Sequence, residues 1–144
     1  METLGTLCDK LTIIKLKQFH SEDPGQIESL NKQEIQLIEE IDCYVIQAVC
    51  ENIPIEKLTF AANKVYKQQG NELRNIPGNL GEVFAELARV NCELWHEQEN
   101  VYEFEKVPVK EKDKVVKRLA ALNLERTKYI DEINNLFCKI FIKR

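Results

Sequence analysis

The stretch Leu30-Asn31-Lys32-Gln33-Glu34-Ile35-Gln36-Leu37-Ile38-Glu39-Glu40-Ile41-Asp42 decides the fold class of this chain. Its apolar positions belong to a series, Ile27, Leu30, Ile38, Ile41 and Val45, that follows helical steps rather than alternation. The same face carries Asn31 and Glu34 between Leu30 and Ile38, where apolar residues are expected.

Part of this stretch recurs near the other end of the chain. Leu30-Asn31 and Ile38-Glu39-Glu40-Ile41-Asp42 are echoed by Leu122-Asn123 and Ile130-Asp131-Glu132-Ile133-Asn134. Upstream of each lies a second match, Phe19-His20-Ser21-Glu22-Asp23 against Trp95-His96-Glu97-Gln98-Glu99. These hold the only 2 histidines, each after an aromatic residue and three positions before an acid. The pattern predicts a duplicated helical hairpin, with halves at about 4–50 and 80–143, folded about a pseudo-twofold axis.

The rest of the chain is helical by the same test. Leu4, Leu7, Leu11 and Ile14 mark a first helix, and Leu58, Ala61, Ala62, Val65 and Tyr66 a shorter third one. Val83, Leu87, Val90, Leu94 and Val101 mark a fourth; Val116, Leu119, Ile130, Ile133, Phe137 and Ile140 mark a fifth. Pro24, Pro54, Pro77 and Pro108 divide these stretches, each suited to the first turn of the helix that follows. Asp23 with Gln26, and Asn79 with Glu82, read as capping boxes. The expected architecture is all-α: one domain over 1–144, an antiparallel four-helix bundle with one additional shorter helix.

Composition narrows the function classes. A net charge of −4 with interleaved signs speaks against nucleic acid or an anionic membrane as partner. The start, Met1 to Gly5, does not resemble a signal peptide, and no apolar run spans a bilayer, so the cytoplasm is the expected location. The 5 cysteines lack metal-ligand spacing and read as reduced thiols, mostly small core residues. A protein partner or a second copy of the chain is the expected company. Phe137, Ile140, Phe141 and Ile142 form an apolar cluster that closes the core or makes a dimer contact.

Polar residues on the apolar stripes supply the candidate site. His20, Asp23, Asn31, Glu34, Asn91, His96, Glu99, Asn123 and Arg126 would line one ligand pocket between the helices if the repeats pack as expected. Glu34 and Arg126 are equivalent in the repeat and could pair across its axis. The competing reading is a polar network that only fixes helix register. His96, Glu99, His20 and Asp23 are the weak candidates for holding a divalent metal. Glu93-x-x-His96 has half of a di-iron spacing, but Lys17 occupies the matching place before His20. Glu39-x-x-Asp42 resembles half of the acidic pattern of all-α nucleotide pyrophosphohydrolases, without the earlier acidic pair.

Three segments resemble a family of small bacterial helical proteins of unknown function: Leu7-Cys8-Asp9-Lys10-Leu11-Thr12-Ile13, then Asn91 to Glu99 around Leu94-Trp95-His96, then Lys117-Arg118 with Leu122-Asn123, Arg126 and Ile130 to Ile133. The resemblance implies an all-α fold and association with glycosyltransferases of cell-surface polysaccharide assembly. It implies no activity, and Gln98-Glu99-Asn100 departs from the family's usual acidic pair. The expected function is thus an accessory or binding protein. A metal-dependent hydrolase of a nucleotide or sugar phosphate, using the polar cluster, is the alternative.

Overall fold

The chain begins its first helix with a reciprocal cap. Thr3 accepts from the Thr6 amide while the Thr6 hydroxyl accepts from the Thr3 amide, so two amide donors at the helix start are satisfied. A computed structural model describes residues 2–59 and 79–142 of the protein. It contains α1 (Leu4–His20), α2 (Pro24–Val49), α3 (Leu80–Tyr102) and α4 (Val109–Ile142), with short 3-10 turns at Ile55–Thr59 and Phe104–Lys106. No strand occurs among the described residues. The shorter third helix expected after Leu58 lies outside them; Leu58 itself is buried in the Ile55–Thr59 turn.

The prolines and caps act in different ways. Pro24 occupies the start of α2, and Asp23 caps it by accepting from the Gln26 amide at 3.2 Å. Gln26 does not reciprocate; it accepts from the Ser21 hydroxyl instead. Asn79 makes no cap bond, because its amide donates to the Glu82 carboxylate at 3.0 Å. Beyond α2 the chain turns through Glu51 at φ 60°, a left-handed position more often filled by glycine.

Side-chain pairs show how the helices run. Lys15 meets Glu34 and Gln18 meets Asn31, so α1 and α2 are antiparallel. Gly5 meets Asn134 and Asp9 meets Arg126, so α1 and α4 are antiparallel too. Asn91 lies against Asp9 and Thr12 while Trp95 lies against His20, so α3 runs alongside α1 in the same direction. Leu4, Leu7, Leu30, Val83, Leu87, Val90, Tyr129 and Ile133 form the centre of the apolar core. Of the C-terminal apolar cluster, Phe137 is buried and Phe141 packs edge-on against it, whereas Ile140 and Ile142 are exposed.

The closest approach in the fold is at Gly5. A Cβ there would lie 2.3 Å from the Ile130 carbonyl oxygen and 2.9 Å from Asn134 Oδ1. The Gly5 amide donates to that same Oδ1 at 2.7 Å. Only a residue without a side chain lets the two backbones come this near.

Candidate functional site

Where α1, α3 and α4 meet, four polar side chains close on one another. Asp9 is buried, and Arg126 holds it with two charge-assisted bonds, Nε to Oδ1 at 2.9 Å and Nη2 to Oδ2 at 2.6 Å. Asn91 is almost fully buried and donates through Nδ2 to Asp9 Oδ1 at 2.9 Å and to Thr12 Oγ1 at 2.6 Å. Thr12 in turn donates to the Asp9 carbonyl at 2.7 Å. Asn91 Oδ1 is buried without a hydrogen-bond partner among the described residues.

The electrostatics follow from this packing. The hydrogen bonds from Arg126 to Asp9 raise the guanidinium further above its ordinary value. Burial pushes the neighbouring Cys8 thiol up to about 12, with the Asp9 negative charge adding to the effect.

Arg126 is about one-third exposed (35%), and its exposed side opens onto a cleft of about 450 Å3. Ile13, Ile14 and Leu37 give the cleft apolar surface, Lys10 and Lys17 bring cations from α1, and Gln33, Gln36 and Glu40 come from α2. A second hollow of about 440 Å3 shares Lys17 and Gln33 with the first. It ends at His20 and Trp95, whose rings stack 4.8 Å apart at 10°.

Comparison of the chain with protein-family models, with curated proteins and with solved structures gives no match.

The nine residues singled out in the sequence do not share one pocket. Asn91 and Arg126 meet at Asp9. Asn31 and Glu34 lie on the outer α1–α2 seam, where Gln18 donates to both and Lys15 pairs with Glu34 at 3.2 Å. The Glu34–Arg126 pair expected across the repeat is absent, since each has another partner on α1. Asp23 is an exposed cap, and Asn123 is exposed on α4.

The two histidines do not meet either. His20 turns to Trp95, while His96 is exposed and lies 3.8 Å from Glu99 on its own helix. Consecutive residues point about 100° apart on a helix, so Trp95 and His96 cannot both face α1. Glu93, the acid expected beside His96, pairs with Arg89 and Arg118 instead. Among the described residues no three His, Cys, Asp or Glu side chains are grouped to hold a metal ion. Glu39 and Asp42 are both exposed. Of the five cysteines, Cys8 and Cys138 are buried and the other three exposed, fewer core thiols than expected.

Asp9 and Thr12 were not among the nine candidates. They sit between Leu7 and Leu11 and just beyond it, so a count of apolar spacing passes over them. The signal that could mark them is their spacing: Asp9 and Thr12 are polar residues three apart, so they share one face of α1.

Proposed function

We propose that this protein is an accessory, binding protein that takes a small polar ligand in the cleft above the Asp9–Arg126 pair. The carrying observation is that Asp9, Asn91 and Arg126, from three helices, are locked together at a wall of an open cleft. A fork held rigid by a buried partner presents its remaining N–H groups in a fixed direction, which favours recognition over mere stability.

The wider architecture belongs to this proposal. The four helices form a bundle in which α1–α2 and α3–α4 descend from one hairpin; the antiparallel course of each pair and the contact between α1 and α3 support it. The cytoplasm is the proposed location; no helix among the described residues is long and apolar enough to cross a membrane. A protein partner is the second proposed ligand. The support here is an apolar hollow of about 340 Å3 between α1 and α3, bordered by Leu11, Phe19, Phe84 and Cys92, with Phe19 84% exposed.

Melting temperature tests the small-ligand reading, because a ligand that binds only the folded chain raises it. The series comprises inorganic phosphate, hexoses, hexose phosphates, nucleosides, nucleoside monophosphates, and magnesium, manganese and zinc ions. An organic solute should raise the melting temperature of the native chain and not that of Lys10→Ala. If no solute does so, the cleft is not a binding site; a rise with a metal ion alone would favour the hydrolase alternative.

A further inference from the structure

The two hollows along α1 meet at Lys17 and Gln33, so they form one elongated cleft with unlike ends. From Lys10 to Ser21 it follows α1 for about 16 Å at 1.5 Å per residue. Its charges are unevenly engaged. Asp9 is held by Arg126, Lys10 faces Glu2, and Glu40 accepts from the Gln36 amide. Lys17, in the shared middle, makes no ion pair among the described residues. Arg126 bonds Asp9 through Nε and Nη2, which leaves Nη1 outside that pair. Glu40 has no cation partner among the described residues, but it borders the first hollow only; in the second hollow Lys17 is the one Lys, Arg, Asp or Glu side chain, so that end carries an unmatched positive charge.

The other end is aromatic. Trp95 and His20 form a stacked wall, and Ser29, Gln26 and Gln33 stand opposite with hydroxyl and amide groups. A simple anion needs only the cations and leaves this end empty. A neutral ring compound needs only the wall and leaves Lys17 unmatched. Resting on the binding function proposed above, we infer that the cleft takes a phosphate monoester of a ring compound. Its phosphate lies at Lys17, and its ring lies against the Trp95–His20 stack with hydroxyl or amide contacts to α2. A nucleoside monophosphate and a hexose phosphate share this chemistry.

The chain contains 1 tryptophan, so its fluorescence reports on the aromatic end alone. Trp95 emission is titrated at constant ionic strength with a purine nucleoside monophosphate, a hexose 6-phosphate, their unphosphorylated parents and inorganic phosphate. The expected result is a saturable change with at least one of the two esters, which tells the two sources apart. The unphosphorylated parent of that ester, and Lys17→Ala titrated with it, should each require at least tenfold more ligand. Lys17 is exposed, so circular dichroism of the variant should be unchanged. No saturable change with either ester, or equal binding by the parent or by Lys17→Ala, overturns the inference. A melting-temperature rise with an unphosphorylated solute and no Trp95 response would overturn it too, while leaving the binding cleft itself in place.

Discussion

Helix α1 is bonded along two seams of opposite character. Toward α4 and α3 its contacts are buried and unforgiving: Gly5 against Ile130 and Asn134, and Asp9 among Arg126, Asn91 and Thr12. Toward α2 its polar contacts are open to water, with Lys15 and Gln18 reaching Glu34 and Asn31. Both seams use amides and ion pairs, so the difference lies in solvent. Water can replace a lost partner on the outer seam and cannot easily do so on the inner one.

The largest test of that contrast is Arg126→Ala. It leaves the Asp9 carboxylate buried without its counter-ion, and stability measured by urea unfolding should fall by about 3 kcal/mol, toward the lower end for a broken buried pair because the guanidinium is partly exposed. The companion Asp9→Asn, combined with Arg126→Ala, should cost less than the two separate losses added together, the mark of residues acting as one unit. Additive losses would break the inner seam as described.

Gly5→Ala comes next. Alanine gains roughly 0.5–1 kcal/mol in a helix interior over glycine, while forced overpacking costs about 1–3 kcal/mol. With backbone atoms of Ile130 in the way, overpacking should win, and the variant should unfold at lower urea concentration than the native chain. A neutral or more stable variant would mean that α1 and α4 do not approach as closely as shown.

Titration separates the seams at opposite ends of the pH scale. The Cys8 thiol ordinarily ionises near 9.0 and in the fold only at about 12. Between those values the unfolded chain has lost a proton that the folded chain keeps, so stability falls as pH rises through this window. Cys8→Ala should flatten that alkaline slope. At neutral pH, a thiol reagent should label Cys43, Cys50 and Cys92 and spare Cys8 until the chain unfolds.

The smallest effect belongs to the outer seam. Hydrogen bonds from Gln18 and then from Lys15 lower the ionisation of Glu34 below its ordinary 4.5. Its contribution is present above that pH and is lost as the pH falls through the lowered value. Glu34→Gln should remove that acid-side slope and hardly alter the melting temperature at neutral pH, as should Lys15→Ala. A large drop at neutral pH for either would erase the distinction between the seams.

The helices were readable because a 3.6-residue period and well-placed prolines leave strong traces in Ile27 to Val45 and Val83 to Val101. The site was less readable. Its floor depends on which side of α1 turns inward, and Gly5, which permits the close approach, carries no hydrophobic signal at all. The repeat drew attention to His20 and His96 as a pair, although neighbouring positions on a helix face different ways and Trp95 had taken the inward one. Arg126 and Asn91 stand out in the sequence because they interrupt apolar stripes. Asp9 does not, because it falls between such stripes.

The bond between Gly5 and Asn134 joins residues 129 positions apart in the chain. During synthesis on a ribosome α1 emerges early, yet the neighbour that seats its first turn is made more than a hundred residues later. Until then α1 has α2 alongside, held in part by their watery contacts, and the surface around Gly5 and Asp9 lies bare. Final locking of this protein is therefore a late event, and chains interrupted before Asn134 should be the ones that proteases and chaperones find first.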